Sequence, residues 1–194
     1  MMETSLSLLD RLRTAPDEAS WQRLDDLYRP WLRRWLLGRD PTLREEADDL
    51  VQEVLSVLFR EVSQFRHDRP GSFRRWLLQV TVHRLQALWR SRRRRSLPPG
   101  VPPADDLLAQ VADPASELSR LWDRDHNQHV VQRLLELIEP EFAPTTWQAF
   151  RRVVLDDGKP AQVAAELGMS VNAVLLAKSR VLSRLRQEGG GLLD

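Results

Sequence analysis

A stretch rich in arginine and aromatic side chains offers the clearest chemistry in this chain. It runs from Ser72 to Arg95 as SFRRWLLQVTVHRLQALWRSRRRR, and with Arg66 and Arg69 it carries ten arginines against one acid, Asp68. Guanidinium groups pair with phosphates and stack on bases, and Phe and Trp offer flat faces to unstacked bases. The segment therefore predicts a nucleic-acid surface.

A second pattern, near the C-terminus, has the spacing of a helix-turn-helix. Ala164, Gly168 and Val174 are four and then six residues apart. A small residue at 164 lets two helices approach, glycine at 168 can take the positive φ that ends the first helix, and Val174 plugs the angle between them. Ser170 is expected to cap the second helix. A plain helical hairpin with a glycine cap is the alternative.

Polar and basic residues on the second of these helices could contact a DNA duplex. In a helix-turn-helix the N-terminal part of the second helix enters the major groove, where Asn172 can pair with base edges. Lys178 and Arg180 would contact bases or phosphates, and Arg184 and Arg186 continue the basic character. Part of the Lys178 stem is expected to be buried, because this residue follows an apolar series.

The periodicity of apolar residues predicts helices throughout and no strands. In the first half, helices are expected at about 18–37, at about 43–63 behind a capping box formed by Thr42 and Glu45, and from about Ser72. The middle helix has apolar residues at helical spacing, namely Val51, Val54, Leu55, Leu58, Val62 and Phe65.

The second half follows a proline-rich segment. SLPPGVPPADD, from Ser96, has four prolines and a glycine in eleven residues, which neither continues a helix nor builds a core. Asp113 and Pro114 predict the N-cap and first position of a helix that reaches Ile138, and a further helix is expected at 146–155.

Composition and charge narrow the classes of function. With 194 residues and 42% hydrophobic content, the chain can build one ordinary domain or two small ones. The net charge of +1 divides into +5 over 1–95, −6 over 96–150 and +2 over 151–194. This division suggests two polyanion contacts around an acidic middle, although ordinary solvated charge gives the same pattern.

No pattern predicts catalysis, a cofactor or a metal. The chain has no cysteine, and its four histidines form no HExxH pair. No apolar run approaches the roughly 20 residues that span a bilayer, and the start of the chain lacks the apolar stretch of a signal peptide. We therefore expect a soluble cytoplasmic protein that is not an enzyme, needs no cofactor and does not contact membranes.

Three segments together resemble a bacterial extracytoplasmic-function (ECF) RNA polymerase sigma factor of the sigma-70 family. They are DDLVQEVLSVLFREVSQF (48–65), GSFRRWLLQVTVHRL (71–85) and GMSVNAVLLAKSRVLSRLR (168–186), in the family's order. AKSRVLSRLRQE and GSFRRWL are similar to a planctomycete-type subgroup. The resemblance implies an all-α protein with sigma region 2 at 1–95, a Pro-rich linker at 96–113 and sigma region 4, containing the helix-turn-helix, at 114–194.

The resemblance assigns a polymerase contact and a −10 element contact to region 2. The core-polymerase contact matches Asp49, Leu50, Val51, Gln52 and Glu53. The segment 40–61 holds seven acids and two arginines, which suits a basic partner. Without the resemblance, an acidic solvent face is the favoured interpretation of this charge. Recognition of the −10 element and strand melting, with a flipped base in a pocket, is assigned to Arg69, Ser72, Arg75, Trp76, Gln79, His83, Arg84 and Arg90.

Three qualifications concern this −10 segment. Phe73 shares a helical face with Leu77 and Val80, so Phe73, and Trp76 with it, is predicted to be core more than base platform. The run of Arg90 and Arg92–Arg95 is expected to grip phosphates without sequence preference. The family's usual Asn is His83 here, and its frequent Asp is Ala87.

In region 4 the resemblance implies recognition of the −35 element. The residues that match this contact are Ser170, Asn172, Ala173, Lys178, Arg180 and Arg184. The family's common Thr-Val-Lys reads Ala173-Val174-Leu175 in this chain, which moves the expected contacts onto Lys178, Arg180 and Arg184.

The sequence thus predicts a promoter-specificity subunit. Its implied partners are core RNA polymerase, through the clamp of the largest subunit and the flap of the second-largest, promoter DNA, and an anti-sigma factor, which the family suggests. The alternative is a stand-alone helix-turn-helix regulator with a helical partner-binding domain, and the basic and aromatic residues of 66–95 argue against it.

Overall fold

The computed structural model describes residues 7–65, 71–94 and 109–193, and their regular structure is entirely helical. The predicted all-α class is confirmed. The α-helices are α1 Leu8–Thr14, α2 Glu18–Arg39, α3 Ala47–Glu61, α4 Ser72–Arg94, α5 Glu117–Ile138, α6 Pro144–Val154, α7 Pro160–Leu167 and α8 Val171–Glu188. Residues 109–112 are also helical, and short 3₁₀ helices occupy Pro41–Leu43 and Glu139–Glu141.

The described residues fall into two compact units. We call residues 8–130 with 191–193 the N-terminal unit, and residues 7 and 131–190 the C-terminal unit. Residues 109–130 therefore belong to the N-terminal unit, whereas the sequence assigns 109–113 to the linker and 114–130 to the second domain. Most of the predicted linker, residues 96–108, lies outside the described residues.

Helix α2 begins where the sequence predicts. The Oδ1 atom of Asp17 accepts a hydrogen bond from the backbone N–H of Ser20 over 2.7 Å. Hydrogen bonds from the side chain and backbone of Ser20 hold the pKa of Asp17 below its usual value. The helix then continues through Pro30 to Arg39. Its buried side includes Trp31 and Leu24, which face the core of the N-terminal unit.

The predicted capping box at Thr42 and Glu45 is wrong. The Oδ1 atom of Asp40 accepts both the backbone N–H of Thr42, at 3.0 Å, and its hydroxyl, at 2.6 Å. The carboxylate thus stabilises a 3₁₀ turn at Pro41–Leu43 and accepts a hydrogen bond from the hydroxyl of Thr42, the residue that was expected to cap α3. Helix α3 begins only at Ala47, behind Glu46, whose side chain makes no capping bond.

Helices α2, α3 and α4 build the core of the N-terminal unit, with α3 packed against both neighbours. The predicted apolar side of α3 is confirmed, because Val51, Val54 and Leu58 are almost fully buried. Phe73, at the start of α4, is fully buried, which confirms its predicted core position. Side chains at i, i+3 and i+4 share one helical face, and this spacing is what positions them together.

The predicted start of α5 at Asp113 and Pro114 is also wrong. Oδ1 of Asp113 accepts the N–H of Ala115 over 2.8 Å, which closes a local turn in place of a helical one. The capping oxygen comes from Ser116, whose Oγ accepts the N–H of Ser119 over 3.1 Å. The helix therefore starts at Glu117.

The first half of α5 completes the core of the N-terminal unit. Trp122 is 0% exposed, with its ring 4.5 Å from that of Trp31 and 4.8 Å from that of Trp35, both edge-on. Nε1 of Trp122 donates a hydrogen bond to the backbone oxygen of Arg74 over 2.9 Å, and the Arg74 guanidinium pairs with Asp123 at 2.9 Å. The indole N–H of the buried Trp122 ring therefore has a hydrogen-bond partner, which the sequence pattern did not predict.

One turn further, α5 buries two histidines. Nε2 of His126 lies 3.0 Å from the hydroxyl of Tyr28, and Nε2 of His129 lies 2.6 Å from the backbone oxygen of Leu27. Burial lowers the pKa of His126 to about 3, so its imidazole is neutral near pH 7. Burial also raises the pKa of Tyr28.

The C-terminal unit is built by α6, α7 and α8, which pack pairwise on one another. One apolar cluster joins the three helices, formed by Ala149, Val153, Val163, Ala164, Val174 and Ala177. A second cluster, at the other end of α8, contains Ile138, Trp147, Phe150 and Val181. Helix α8 is therefore held along its length on one side only.

Candidate nucleic-acid interface

The helix-turn-helix geometry is present between α7 and α8. Gly168 has φ 63°, and its N–H and that of Met169 both bond to the backbone oxygen of Ala164. Oγ of Ser170 accepts the N–H of Ala173 over 3.1 Å and caps α8, as the sequence predicts. The two helices are bent by 106° relative to each other, with Val174 fully buried in the angle.

The predicted −10 residues converge on one groove of about 460 Å³ between α3 and α4. Five of them line it: Trp76, Gln79, His83, Arg84 and Arg90. Their successive spacings along α4 are three, four, one and six residues, which places all five within about 140° around the helix axis. Val57 and Glu61 of α3 form part of the opposite wall, and Ala87 lies between the polar residues.

An aromatic stack borders this groove. The ring of Trp76 stacks on Phe65 with centroids 5.1 Å apart and an interplanar angle of 29°. Phe65 in turn meets the buried Phe73 edge-on at 5.7 Å. Trp76 is half-buried, so its ring is both packed in the unit and available at the groove.

The cations of the groove differ in how they are paired. Nη1 of Arg84 lies 3.9 Å from a carboxylate oxygen of Glu53, which is a loose and solvent-screened ion pair. Arg90 is exposed. His83 and Gln79 are exposed as well, so two hydrogen-bonding groups face the same space.

Of the other three predicted −10 residues, the structure describes two, and neither lines the groove. Arg69 is outside the described residues. Ser72 opens α4 and Arg75 is exposed on the same helix, but neither lines the groove. The structure therefore brings together the residues from Trp76 onward.

Arg92 makes a structural contact in place of the predicted phosphate contact. Its Nη2 lies 2.6 Å from Oε1 of Glu46, and Nη1 donates to Oγ1 of Thr42 over 3.1 Å. This pairing holds α4 against the segment before α3 and lowers the pKa of Glu46. The side chains of Arg93–Arg95, predicted to act with it, are outside the described part of the structure.

Of the five residues predicted to contact polymerase, two are buried and three are exposed. Leu50 is 3% exposed and Val51 is 0% exposed, so neither side chain can reach a partner, and both instead anchor α3. Asp49, Gln52 and Glu53 are exposed. Their spacing along α3 puts an acidic and amide-bearing face at the surface.

The predicted −35 residues lie on helix α8, except Ser170, which is its N-cap, and their exposure and pairing differ. Asn172 and Arg180 are exposed, and Lys178 and Ala173 are half-buried, in agreement with the expected burial of the lysine stem. Arg184 is occupied within the unit: its Nε and Nη2 atoms lie 2.7 and 2.8 Å from the two carboxylate oxygens of Glu141, and Nη1 lies 2.8 Å from Glu188. These bonds raise the pKa of Arg184.

Sequence reasoning missed one feature of α8. Three large apolar side chains on its first turns, Val171, Leu175 and Leu176, are 44%, 46% and 48% exposed. The sequence did contain a signal for this exposure. Leu175 and Leu176 directly follow Val174, the residue predicted to be buried, so helical periodicity places them off the buried face.

Two further findings concern the part of the chain that the structure describes. It contains no group of three or more His, Asp or Glu side chains arranged to hold a metal ion. No single helix in it is long and apolar enough to cross a membrane, and the pair α7 and α8 reaches that length only together, across its 106° bend.

Comparison with known proteins gives a family for the N-terminal unit. Residues 24–95 match the family described as Sigma-70 region 2, a range that contains most of α2, all of α3 and α4, and the groove between α3 and α4. No curated protein matches the chain. Residues 24–95 of the chain are therefore similar to sigma-70 region 2.

Proposed function

We propose that this chain is an ECF sigma factor of the planctomycete-type subgroup, which directs core RNA polymerase to promoters with −10 and −35 elements. The observation that carries the proposal is the groove between α3 and α4, because it assembles five predicted DNA contacts inside the range that matches region 2. The helix-turn-helix of the C-terminal unit supplies a second surface suited to duplex DNA.

At the −10 element, the groove would receive a base expelled from the duplex. Flipping a base costs a few kcal/mol, and stacking together with hydrogen bonds in a shaped pocket offsets that cost. The Trp76 ring, supported by Phe65, offers the stacking face, and Gln79 and His83 offer hydrogen bonds to base edges. Arg90 would contact the phosphates of the same strand.

At the −35 element, the first turns of α8 would enter the major groove. Asn172 can make two hydrogen bonds to an adenine edge, and Lys178 and Arg180 can contact phosphates. Arg184 is better suited to positioning α8 through its bonds to Glu141 and Glu188 than to contacting DNA itself.

Core polymerase would be bound by the exposed residues of α3. Asp49, Gln52 and Glu53 form an acidic face that suits a basic surface on the clamp of the largest subunit. The C-terminal unit would meet the flap of the second-largest subunit, and an anti-sigma factor would act by covering these surfaces. This role places the protein in the cytoplasm and requires no catalytic group of its own.

Transcription by a reconstituted enzyme tests the proposal. The full chain is added to sigma-free bacterial core polymerase, and run-off transcripts are sequenced from a library of bacterial genomic fragments. We expect transcripts from a small set of promoters that share two elements, and none from core polymerase alone. Tight duplex binding by the chain alone, with no transcript from any fragment, would instead identify a stand-alone helix-turn-helix regulator.

A further inference from the structure

The exposed apolar residues at the start of α8 form a surface that the proposed function leaves unexplained. Val171, Leu175 and Leu176 keep nearly half of their surface in water, next to Asn172. Burying such side chains against an apolar group is favourable by about 25 cal/mol per Å². We call Leu175 and Leu176 the leucine pair.

The rotation of α8 determines what the leucine pair can meet. Successive residues turn by about 100° around a helix axis, so the buried residues Val174, Ala177 and Val181 define the inward face. On this wheel Leu175 and Leu176 lie on the outward side, on either side of Asn172.

Two cations flank this outward side. Measured across the outward side of the helix, Lys178 and Arg180 lie about 200° apart around the axis, one on each side of the leucine pair. A helix with basic residues on both flanks and a mixed amide and apolar centre is complementary to a DNA groove, where phosphates line both edges and base edges form the floor.

One base carries an apolar group on that floor. In the major groove, thymine presents its C5-methyl group, whereas the other three bases present only hydrogen-bonding atoms. Adenine, paired with thymine, presents the N6 and N7 atoms that an asparagine can bond in bidentate fashion. Asn172 therefore suits the adenine, and the leucine pair suits the thymine methyl, of one A·T pair or of neighbouring A·T pairs.

We propose that Leu175 and Leu176 are specificity-determining residues that recognise thymine methyl groups in the −35 element. This inference rests on the proposed function. An apolar docking site for a protein partner is the competing use of the same surface, and the flanking cations and Asn172 favour DNA over such a partner.

The test removes the methyl groups without changing base pairing. Promoters are first selected from a randomised duplex library by the reconstituted holoenzyme, and each thymine of the selected upstream element is then replaced by deoxyuridine. We expect the affinity of the holoenzyme to fall by about fourfold for each contacted methyl, the equivalent of ~0.8 kcal/mol.

Variants of the leucine pair complete the test. In Leu175→Ala/Leu176→Ala the ratio of affinities for thymine and uracil duplexes should fall to about one. Because the two duplexes are compared with the same protein, a loss of folded chain cancels from this ratio. Alanine is also a stronger helix former than leucine, so α8 should persist. Leu155→Ala, at a 51% exposed leucine of the same unit outside α8, is the matched control and should keep the wild-type ratio.

Three results would overturn the inference while leaving the proposed function intact, because run-off transcription would persist. The first is an upstream element without thymine. The second is equal affinity of the wild-type holoenzyme for thymine and uracil duplexes. The third is an unchanged affinity ratio in the double variant, which would assign the surface to a protein partner. A holoenzyme that selects no sequence and yields no transcript would overturn both.

Discussion

The indole Nε1 of Trp122 donates a hydrogen bond to the backbone oxygen of Arg74, 2.9 Å away. The two residues stand on either side of the proline-rich segment, and the bond joins α5 to the first turn of α4. With Trp122 fully buried against Trp31 and Trp35, the core of the N-terminal unit is incomplete without residues that follow that segment.

Replacing Trp122 should therefore destabilise the N-terminal unit. For Trp122→Ala we expect a loss of about 3–5 kcal/mol in the free energy of unfolding, because a large cavity opens and the hydrogen bond from the indole to the Arg74 carbonyl is lost. Urea unfolding followed by circular dichroism measures the change. Phe59→Ala, at an aromatic residue of the same unit that is 59% exposed, should cost less than about 1 kcal/mol. Similar losses in both variants would contradict the buried position of Trp122.

The buried His126 predicts a dependence of stability on pH. Its pKa is lowered to about 3 in the folded protein and is about 6.5 in an unfolded chain, so the unfolded state binds the proton more readily between these values. Its contribution to stability is complete above pH 6.5 and falls by about 1.4 kcal/mol per pH unit below it.

A His126→Gln variant isolates this contribution from other titrating groups. Between pH 7 and pH 5 the unfolding free energy of the wild type should fall by about 2 kcal/mol more than that of the variant. Equal slopes for the two proteins in urea titrations would show that His126 titrates normally in the folded state.

Arg180 and Arg184 should have separable effects. Arg184→Ala removes the hydrogen bonds of Arg184 to Glu141 and to the buried Glu188, so we expect a loss of about 1–3 kcal/mol in stability. Arg180→Ala should leave stability unchanged but weaken promoter binding by the holoenzyme, with the slope of log affinity against log salt reduced by about 0.9. Thermal unfolding and binding at several salt concentrations distinguish the two, and exchanged effects would refute the proposed division of roles.

Gly168 and Gly38 should respond oppositely to the same substitution. An added Cβ meets nothing within 4 Å at either glycine, so only the backbone decides. Gly168→Ala should cost about 1–2 kcal/mol because φ is 63°, whereas Gly38→Ala in α2 should stabilise by about 0.5–1 kcal/mol. Gly168→Asn, which tolerates this φ better, should cost less than Gly168→Ala. Melting temperatures of the three variants check the order.

The groove residues should act in strand opening. In Gln79→Ala/His83→Ala we expect open-complex formation at a selected promoter to fall at least tenfold, because each lost hydrogen bond in the pocket is worth about 1 kcal/mol or more. Permanganate footprinting of unpaired thymines measures the opening. Ser91→Ala, at an exposed residue of the same helix, is the control. A normal footprint in the double variant would remove the groove from the −10 contact.

Much of the local structure was predictable because it depends on neighbours in the chain. The span of α2, the start of α4, and the helix-turn-helix with Gly168 and Ser170 follow from periodicity, caps and glycine conformation. The starts of α3 and α5 could not be predicted in this way, because Asp40 and Asp113 each close a local turn before the expected helix can begin. Competing side-chain bonds of similar energy decide such boundaries.

The sequence alone determined the helical class, the basic and aromatic character of α4, and which residues could meet nucleic acid. Only the tertiary structure decided which of them are available to a partner. Leu50 and Val51 are buried in the core, and Arg92 and Arg184 form ion pairs with Glu46 and Glu141. The tertiary structure also brings Trp122 to Arg74 and leaves the leucine pair in water. The reason is physical, since residue type sets what a side chain can bind, whereas burial and pairing depend on partners distant in the chain.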